Sequence, residues 1–275
     1  MTILTVAAEP ALKDALNSLY EKYNRCIFVH PDPLEFLYLY DDPLDREITG
    51  LIASSLAYGR VAQILKSVSS VLERMSPSPS SYIERSSAKK IAADFSGFKH
   101  RFTTGGELSE MLVGIKAVRE KYGSLYACFK GGFDNDSDTV MPALQKFTEE
   151  LGDGFVCRKN SLLPEPERGS ACKRLHLFLR WMVRSDDVDP GDWEDIPPSK
   201  LVVPLDTHMY RICRAIGLTK RRQADMRTAL DITESFKRIL PHDPVRYDFT
   251  LTRLGMWGDP DLELLLGETK MREVA

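Results

Sequence analysis

Two helices are indicated by the stretch Lys173-Arg-Leu-His-Leu-Phe-Leu-Arg-Trp-Met-Val-Arg184 and by the later segment Val203-Pro-Leu-Asp-Thr-His-Met-Tyr-Arg-Ile-Cys-Arg214. In the first, apolar residues recur at the spacing of one helix face, namely Leu175, Phe178, Leu179, Met182 and Val183. In the second, the same spacing is kept by Met209, Ile212, Cys213 and Ile216. A lysine therefore stands at the start of one predicted helix, and an aspartate stands at the start of the next.

Lys173 lies in the first turn of the predicted helix 171–184, on the face opposite the apolar residues, together with His176, Arg180 and Arg184. The helix dipole disfavours a positive charge in the first turn, and the neighbouring cations act in the same direction, so the neutral amine is favoured. A neutral lysine amine is a nucleophile towards a sugar carbon. The alternative interpretation is an exposed lysine on a solvated polar face.

Asp206 occupies the position of a helix N-cap, where its carboxylate accepts backbone N–H bonds and stays ionised. An anion in this place can steady the positive charge that develops on a sugar ring. The alternative interpretation is a cap that contributes only about 1 kcal/mol of stability. His208, two residues further on, is expected to be a surface or helix-start histidine.

The remainder of the chain is also typical of helices, and no segment shows the alternation of a strand. Apolar spacing, capping residues and Pro/Gly signals predict helices over residues 11–24, 42–58, 61–75, 107–121, 139–151 and 221–240, and a last helix capped by Asp243-Pro244 that ends near Met256. The sequence therefore predicts an all-α protein.

Bulk features limit the class of protein. No apolar run approaches the roughly 20 residues that span a bilayer, so no membrane partner is predicted. The N-terminal residues 1–10 lack the basic region and long apolar core of a signal peptide, which predicts a cytoplasmic location. No zinc or iron–sulfur spacing is present among the cysteines, so no metal and no cofactor is predicted; these are Cys26, Cys128, Cys157, Cys172 and Cys213.

Positive charge is concentrated in one part of an acidic chain. Residues 168–222 hold 11 Lys/Arg and 7 Asp/Glu, whereas the rest holds 26 and 33, which together give the net charge of −3. Such a segment is what a phosphate-contacting surface would contain, although a solvated basic helix face is the alternative. The run Phe98-Lys-His-Arg-Phe102 interleaves aromatic and basic residues; it suits a nucleic-acid backbone and equally suits a solvated loop anchored by two phenylalanines.

The segment 203–214 resembles the Val-Asp-Thr-His-hydrophobic-x-Arg segment of the endonuclease III branch of the helix-hairpin-helix DNA glycosylases. The resemblance implies that Asp206 stabilises an oxocarbenium-like transition state and that Lys173, the best match to the upstream lysine of bifunctional members, forms a Schiff base with deoxyribose. The spacing of 33 residues between the two is more similar to that of the archaeal 8-oxoguanine glycosylases.

The same resemblance implies a two-lobed helical fold with the active-site cleft between the lobes. We expect residues 1–275 to form a single compact unit, with the first lobe mainly in 43–160, the lysine/aspartate core in 161–222, and the second lobe completed by 1–42 and 223–275. Damaged DNA, duplex or single-stranded, is the implied partner. The residues expected to bind it are Arg168, Ser170, Arg174, Arg180, His208 and Arg211.

Nearly the whole chain also resembles an uncharacterised bacterial family, the domain of unknown function 2400 family. The resemblance rests on Arg180-Trp-Met-Val-Arg184, Pro204-Leu-Asp-Thr-His208 and Asp243-Pro-Val-Arg-Tyr-Asp248. It implies no activity of its own.

The predicted function is that of a DNA glycosylase with AP lyase activity, acting on a damaged base such as an oxidised purine. Two alternatives remain open. One is a non-catalytic nucleic-acid-binding or protein-interaction module on the same fold, favoured by the single glycine in Glu167-Arg-Gly-Ser-Ala-Cys172, where a phosphate-binding hairpin carries two, and by the acidic remainder of the chain. The other is a small-molecule enzyme that uses the same helical cleft.

Overall fold

The structure, a computed structural model, describes residues 9–155, 160–265 and 267, most of which are helical. Cys157 lies outside the described residues. The α-helices are α1 (Glu9–Tyr23), α2 (Pro43–Ser55), α3 (Val61–Met75), α4 (Pro79–Arg85), α5 (Ala88–Asp94), α6 (Gly105–Tyr122), α7 (Leu125–Lys130), α8 (Met141–Gly152), α9 (Lys173–Val183), α10 (Thr207–Ala215), α11 (Met226–Ile239) and α12 (Asp248–Trp257). A further helical segment covers residues 260–265. The prediction of an all-α protein is confirmed in this coarse form, and the division into two lobes stays a prediction.

Short 3-10 helices and one strand pair complete the regular structure. The 3-10 helices are Cys26–Phe28, Pro33–Leu39, Pro166–Arg168 and Pro198–Lys200. Strand β1 (Lys99–His100) pairs antiparallel with β2 (Thr103–Thr104) through the two-residue turn Arg101–Phe102. Strands of two residues are too short to show an alternating pattern, which is why the sequence did not indicate them.

Most predicted helix positions are confirmed, and two helix starts are wrong for identifiable reasons. Helix α11 begins at Met226 rather than near Arg221, because Asp225 is its N-cap and accepts the Thr228 N–H. Helix α12 begins at Asp248 rather than after Asp243, because the Asp243 carboxylate accepts a hydrogen bond from Arg184. The short helices α4, α5 and α7 were not predicted, since six or seven residues give too little apolar periodicity.

Helix α2 is buried along almost its entire length and packs against α9. A Cβ at Gly50 would lie 3.1 Å from Met182 Sδ and 3.4 Å from the Phe178 ring, so glycine lets these two helices approach closely. Glu47 of α2 is also buried and accepts the backbone N–H groups of Leu125 and Tyr126, at 2.7 and 2.9 Å. Burial raises the pKa of Glu47 to about 7 against the opposing effect of these two bonds. Helix α2 thereby holds both α9 and the start of α7.

The polar face of α9 is not solvated, which corrects the alternative interpretation of that face. His176, Arg180 and Arg184 are buried, and only Lys173 of the four is partly exposed. Arg180 Nε donates to Asp189 Oδ1 at 3.1 Å, and its Nη1 contacts Asp248 Oδ2. This pair of contacts links α9 to the loop that follows it and to the first residue of α12.

Arg184, one turn after Arg180 and at the C-cap of α9, extends the same ion-pair cluster. Its guanidinium contacts Asp189, lies 2.7 Å from Asp186 Oδ2, and donates through Nε to Asp243 Oδ2 at 2.9 Å. The hydroxyl of Tyr20 on α1 donates to Asp186 at 2.9 Å. Polar side chains from α1, α9 and the segments before α12 are therefore joined by direct hydrogen bonds and ion pairs.

Helix α12 packs against α10, and Gly255 lies at the contact. A Cβ there would lie 3.0 Å from Ile212 Cδ1 and 3.2 Å from His208 Cβ, so a side chain would push the two helices apart. The buried apolar side chains form one cluster that extends along the chain from Leu12 to Leu265. None of the helices within the described residues is both long and apolar enough to cross a bilayer.

The crossing of α6 and α8 gives a direct test of the packing. A Cβ at Gly114 would overlap the carbonyl oxygen of Leu151, so Gly114→Ala should lower the free energy of unfolding by about 1 to 3 kcal/mol. Gly106→Ala, in the same helix, is the matched control, because the nearest atom to its Cβ is 3.7 Å away. The control should be neutral or stabilising by up to about 1 kcal/mol. Urea unfolding of both variants makes the comparison, and equal stabilities would contradict this helix crossing.

Candidate functional site

A cavity of about 610 Å³ opens where α9, α10 and α12 meet the loop between α2 and α3. A volume of this size is typical of a small-molecule or nucleotide pocket. Its wall combines apolar side chains with both signs of charge. The charged and aromatic lining residues are Asp32, Tyr58, Lys173, Arg174, Arg180, Asp206, His208, Asp225, Asp248, Phe249 and Arg253.

Lys173 is the first residue of α9 and its side chain is 32% exposed. The preceding Cys172 holds a left-handed backbone conformation (φ 44°, ψ 34°), which costs an L-residue about 1 to 2 kcal/mol. Such strain is characteristic of functional positions. Burial raises the pKa of the Cys172 thiol to about 11, so the thiol beside Lys173 is protonated and is a poor nucleophile.

Asp206 faces this lysine from the start of α10. Its Oδ1 accepts the Met209 N–H at 2.8 Å and so caps the helix, as predicted. Its Oδ2 lies 3.5 Å from Lys173 Nζ, and the Asp206 side chain is only 16% exposed. The two side chains to which the resemblance assigns one reaction therefore line one cavity, a few ångströms apart. Their catalytic roles stay predictions.

Asp248 is a third charged group at the same place, and the sequence analysis gave it no role. It is buried, its Oδ2 contacts Arg180, and its Oδ1 has no hydrogen-bond partner within the described residues. Burial raises the pKa of Asp248 to about 6; the Arg180 charge opposes that shift, and the Asp206 charge adds to it. A second carboxyl group, close to half protonated near pH 6, therefore acts on the electrostatics of Lys173 and Asp206.

Arg174 and Tyr58 form another part of the wall. The Arg174 guanidinium donates to the carbonyl oxygens of Ser55, at 2.6 Å, and of Ser161, and it lies 5.0 Å from the centre of the Tyr58 ring. These contacts fix the cation against the aromatic ring. Arg174 therefore connects α9 to the end of α2 and shapes the cavity.

The opposite wall contains a buried arginine on α12. Arg253 Nη2 lies 2.8 Å from Asp32 Oδ2 and also donates to the Val29 carbonyl at 3.1 Å. Its guanidinium carbon lies 4.9 Å from the centre of the Phe249 ring. Asp32 also caps the 3-10 helix Pro33–Leu39, so this ion pair fixes the N-terminal part of the chain against α12.

The structure brings together some of the residues predicted to bind nucleic acid and separates others. Ser170, Arg174 and His208 line the cavity with Lys173 and Asp206. Arg211 is exposed on α10 and is not among the lining residues that the structure describes. Arg168 belongs to the 3-10 helix Pro166–Arg168, and its side chain lies outside the described part.

Arg180 is held inside the protein by carboxylates, and its contact with DNA stays a prediction. Its guanidinium reaches the base of the cavity, but it is buried and held between Asp189 and Asp248. Moving it to a phosphate would leave the buried Asp248 without its cation and leave Asp189 with Arg184 alone. At the base of the cavity, Arg180 therefore holds the side chains of Asp189 and Asp248 in place.

The sequence analysis also missed the aromatic residues of the cavity. Trp181 and Trp193 are fully buried in the core and do not line the described cavity. The aromatic rings in the described cavity wall belong to Tyr58 and Phe249. The one available signal was the position of Phe249 directly after the Asp243–Asp248 motif.

His176, on the buried face of α9, gives the site region a testable pH dependence. Both ring nitrogens lack partners within the described residues, and burial lowers the pKa of His176 to about 4, from 6.5 in an unfolded chain. A lowered histidine pKa means that the unfolded state binds the extra proton first. The contribution of neutral His176 to the free energy of unfolding is thus complete above pH 6.5 and is lost as the pH falls towards 4.

The variant His176→Leu removes this titration, and Asp248 titrates in both proteins, so its opposite contribution cancels in the comparison. Between pH 7.5 and pH 5 the free energy of unfolding of the variant relative to the natural protein should rise by about 2 kcal/mol. Urea unfolding at the two pH values measures this difference. A difference independent of pH would show that His176 is not held neutral.

Comparison with known proteins adds one finding. A family model described as protein of unknown function (DUF2400) matches residues 32–257, a range that contains every described lining residue of the cavity. No curated protein and no solved structure matches the chain.

Proposed function

The chain belongs to the family described as protein of unknown function (DUF2400), and we propose that it is a DNA base-excision glycosylase with AP lyase activity. The observation that carries the proposal is the pairing of Lys173 Nζ with Asp206 Oδ2, 3.5 Å apart, in the wall of a cavity large enough for a flipped nucleotide. An amine and a carboxylate at this separation can act on the same sugar carbon.

The reaction follows from the two groups. In the proposed step Nζ of Lys173 attacks C1′ as the free amine, the C1′–N bond breaks, and its electron pair leaves with the base. The Asp206 carboxylate stabilises the positive charge on the sugar and accepts the proton that Nζ loses. The proton taken up by Asp206 passes to O4′ as the C1′–O4′ bond breaks, which leaves an iminium between Nζ and C1′. The departed base, an anion, takes the C2′ proton, and the electron pair of that C–H bond expels the 3′ phosphate. Atoms and electrons balance without any further reactant.

The surroundings of the pair support this assignment. The N–H bond from Met209 to Oδ1 holds the Asp206 carboxylate in place and leaves Oδ2 directed at the lysine. The buried Asp248 adds negative potential where a cationic sugar would form, and its pKa near 6 leaves it mostly ionised at neutral pH. Tyr58 and Phe249 provide aromatic surface of the kind against which a flipped base packs.

Borohydride trapping tests the chemistry. Oligonucleotides that contain an abasic site or an oxidised purine, in duplex and single-stranded form, are incubated with the protein and borohydride, which reduces an imine to a stable adduct. We expect an adduct with the natural protein and none with Lys173→Ala. Asp206→Asn should lower the rate of adduct formation by about 100-fold or more while keeping the helix cap.

Lys220→Ala is the matched control, because Lys220 is an exposed lysine of the same basic segment that does not line the described cavity. It should trap DNA as the natural protein does. Salt-sensitive DNA binding without any adduct would instead favour the non-catalytic nucleic-acid-binding module. Absence of DNA binding at low salt would contradict the proposal and favour an enzyme that acts on a small molecule in the same cavity.

A further inference from the structure

A hairpin turn beside the cavity carries an exposed aromatic residue. Phe102 occupies the second position of the β1–β2 turn, and its side chain is 63% exposed. Its ring stacks on the ring of Tyr58 with centroids 4.8 Å apart and an interplanar angle of 27°. Since Tyr58 lines the cavity, an aromatic surface continues from the cavity wall to the outer face of the hairpin.

The hairpin is held rigidly at this position. The Tyr58 hydroxyl donates to the His100 carbonyl at 2.9 Å and shares a 2.6 Å hydrogen bond with Thr103 Oγ1. The buried His100 ring in turn contacts Ser67 Oγ at 2.9 Å. Phe102 is thus presented by a fixed support, and its exposure does not come from an unanchored loop.

The turn also brings positive charge to the mouth of the cavity. Lys99, Arg101 and Arg60 are exposed, and none of the three pairs with a carboxylate in the part of the chain that the structure describes. The Arg101 side chain lies across Gly59, a lining residue, where a Cβ would be 2.8 Å from Arg101 Cδ. Residues 96–106 contain no acidic residue, so this edge has the charge that suits a phosphate backbone.

Arg101 occupies a backbone position that usually belongs to another residue type. Its φ is 52°, in the left-handed region, and two-residue hairpin turns normally place glycine, asparagine or aspartate there. Glycine would suit the turn better, so the local fold does not explain the arginine. Strained backbone positions of this kind are frequent at ligand-binding sites.

We infer that the Arg101–Phe102 turn binds an unpaired nucleobase and its phosphate, next to the nucleotide held in the cavity. Phe102 stacks on the base, and Arg101 contacts the phosphate, with Lys99 and Arg60 on the same edge. Stacking of bases on exposed aromatic rings beside cations is the general means of holding single-stranded nucleic acid. The inference rests on the proposed function for the class of ligand, but it assigns a separate site that does not require the chemistry of Lys173.

Fluorescence anisotropy with a short labelled strand of oligothymidylate at low salt tests the site. We expect Phe102→Ala to raise the Kd by about fivefold or more, the loss that removal of one stacking residue produces. Phe102→Trp should bind at least as tightly as the natural protein, because it keeps the stacking surface. Arg101→Gly should weaken binding and reduce the slope of log Kd against log salt by about one, although it relieves the backbone strain.

Ile27→Ala is the matched control, since Ile27 is 78% exposed and is absent from the described cavity wall. Its Kd should equal that of the natural protein. The inference is overturned if Phe102→Ala binds as Ile27→Ala does, or if the natural protein does not bind the strand at low salt. A different result would show failure of the proposed function: the natural protein would bind the strand normally but would form no borohydride adduct that depends on Lys173.

Discussion

The position of Arg180 between Asp189 and Asp248 is the constraint on which the rest of the site depends. All three side chains are buried, so each charge relies on the others in place of water. Removal of one partner from such a group costs about 3 to 5 kcal/mol, because a buried charge is left uncompensated. The group therefore fixes the start of α12 against the last turn of α9. Through the close contact at Gly255, α12 in turn fixes α10.

The consequence for chemistry is a defined geometry at two helix starts. Lys173 and Asp206 are far apart in the chain, and each lies at the start of a helix. The buried ion pairs hold these helices in position, so Nζ and Oδ2 face each other. The Arg253–Asp32 pair does the same for the opposite wall. Buried ion pairs therefore hold the charged residues of the cavity wall in fixed positions. On the polar face of α9, Lys173 is the one partly exposed cation, and it is the residue proposed to react.

The sequence predicted the longer helices, because apolar periodicity and capping residues are local signals that tertiary packing did not override. The pairing of Lys173 with Asp206 came from the glycosylase resemblance, since neither helix start by itself indicates a partner. It did not predict that His176, Arg180 and Arg184 are buried. Helical spacing shows that these residues share a polar face, but it does not show whether water or carboxylates cover that face. Asp189, Asp243 and Asp248 lie in loops or at a helix start, and their pairing with α9 has no periodic signature. The β1–β2 hairpin was not predicted either, because its two-residue strands have no periodic pattern. The stacking of Phe102 on Tyr58 therefore had no signal in the sequence.

Peptide mapping of the borohydride-reduced adduct is the most direct measurement of the central claim, that the amine at the start of α9 is the reactive group. The claim predicts that the reduced sugar is attached to Lys173, which blocks tryptic cleavage there and yields a modified peptide from Gly169 to Arg174. A sugar attached to another lysine or to the N-terminal amine, with the Gly169–Lys173 peptide released unmodified, would contradict it.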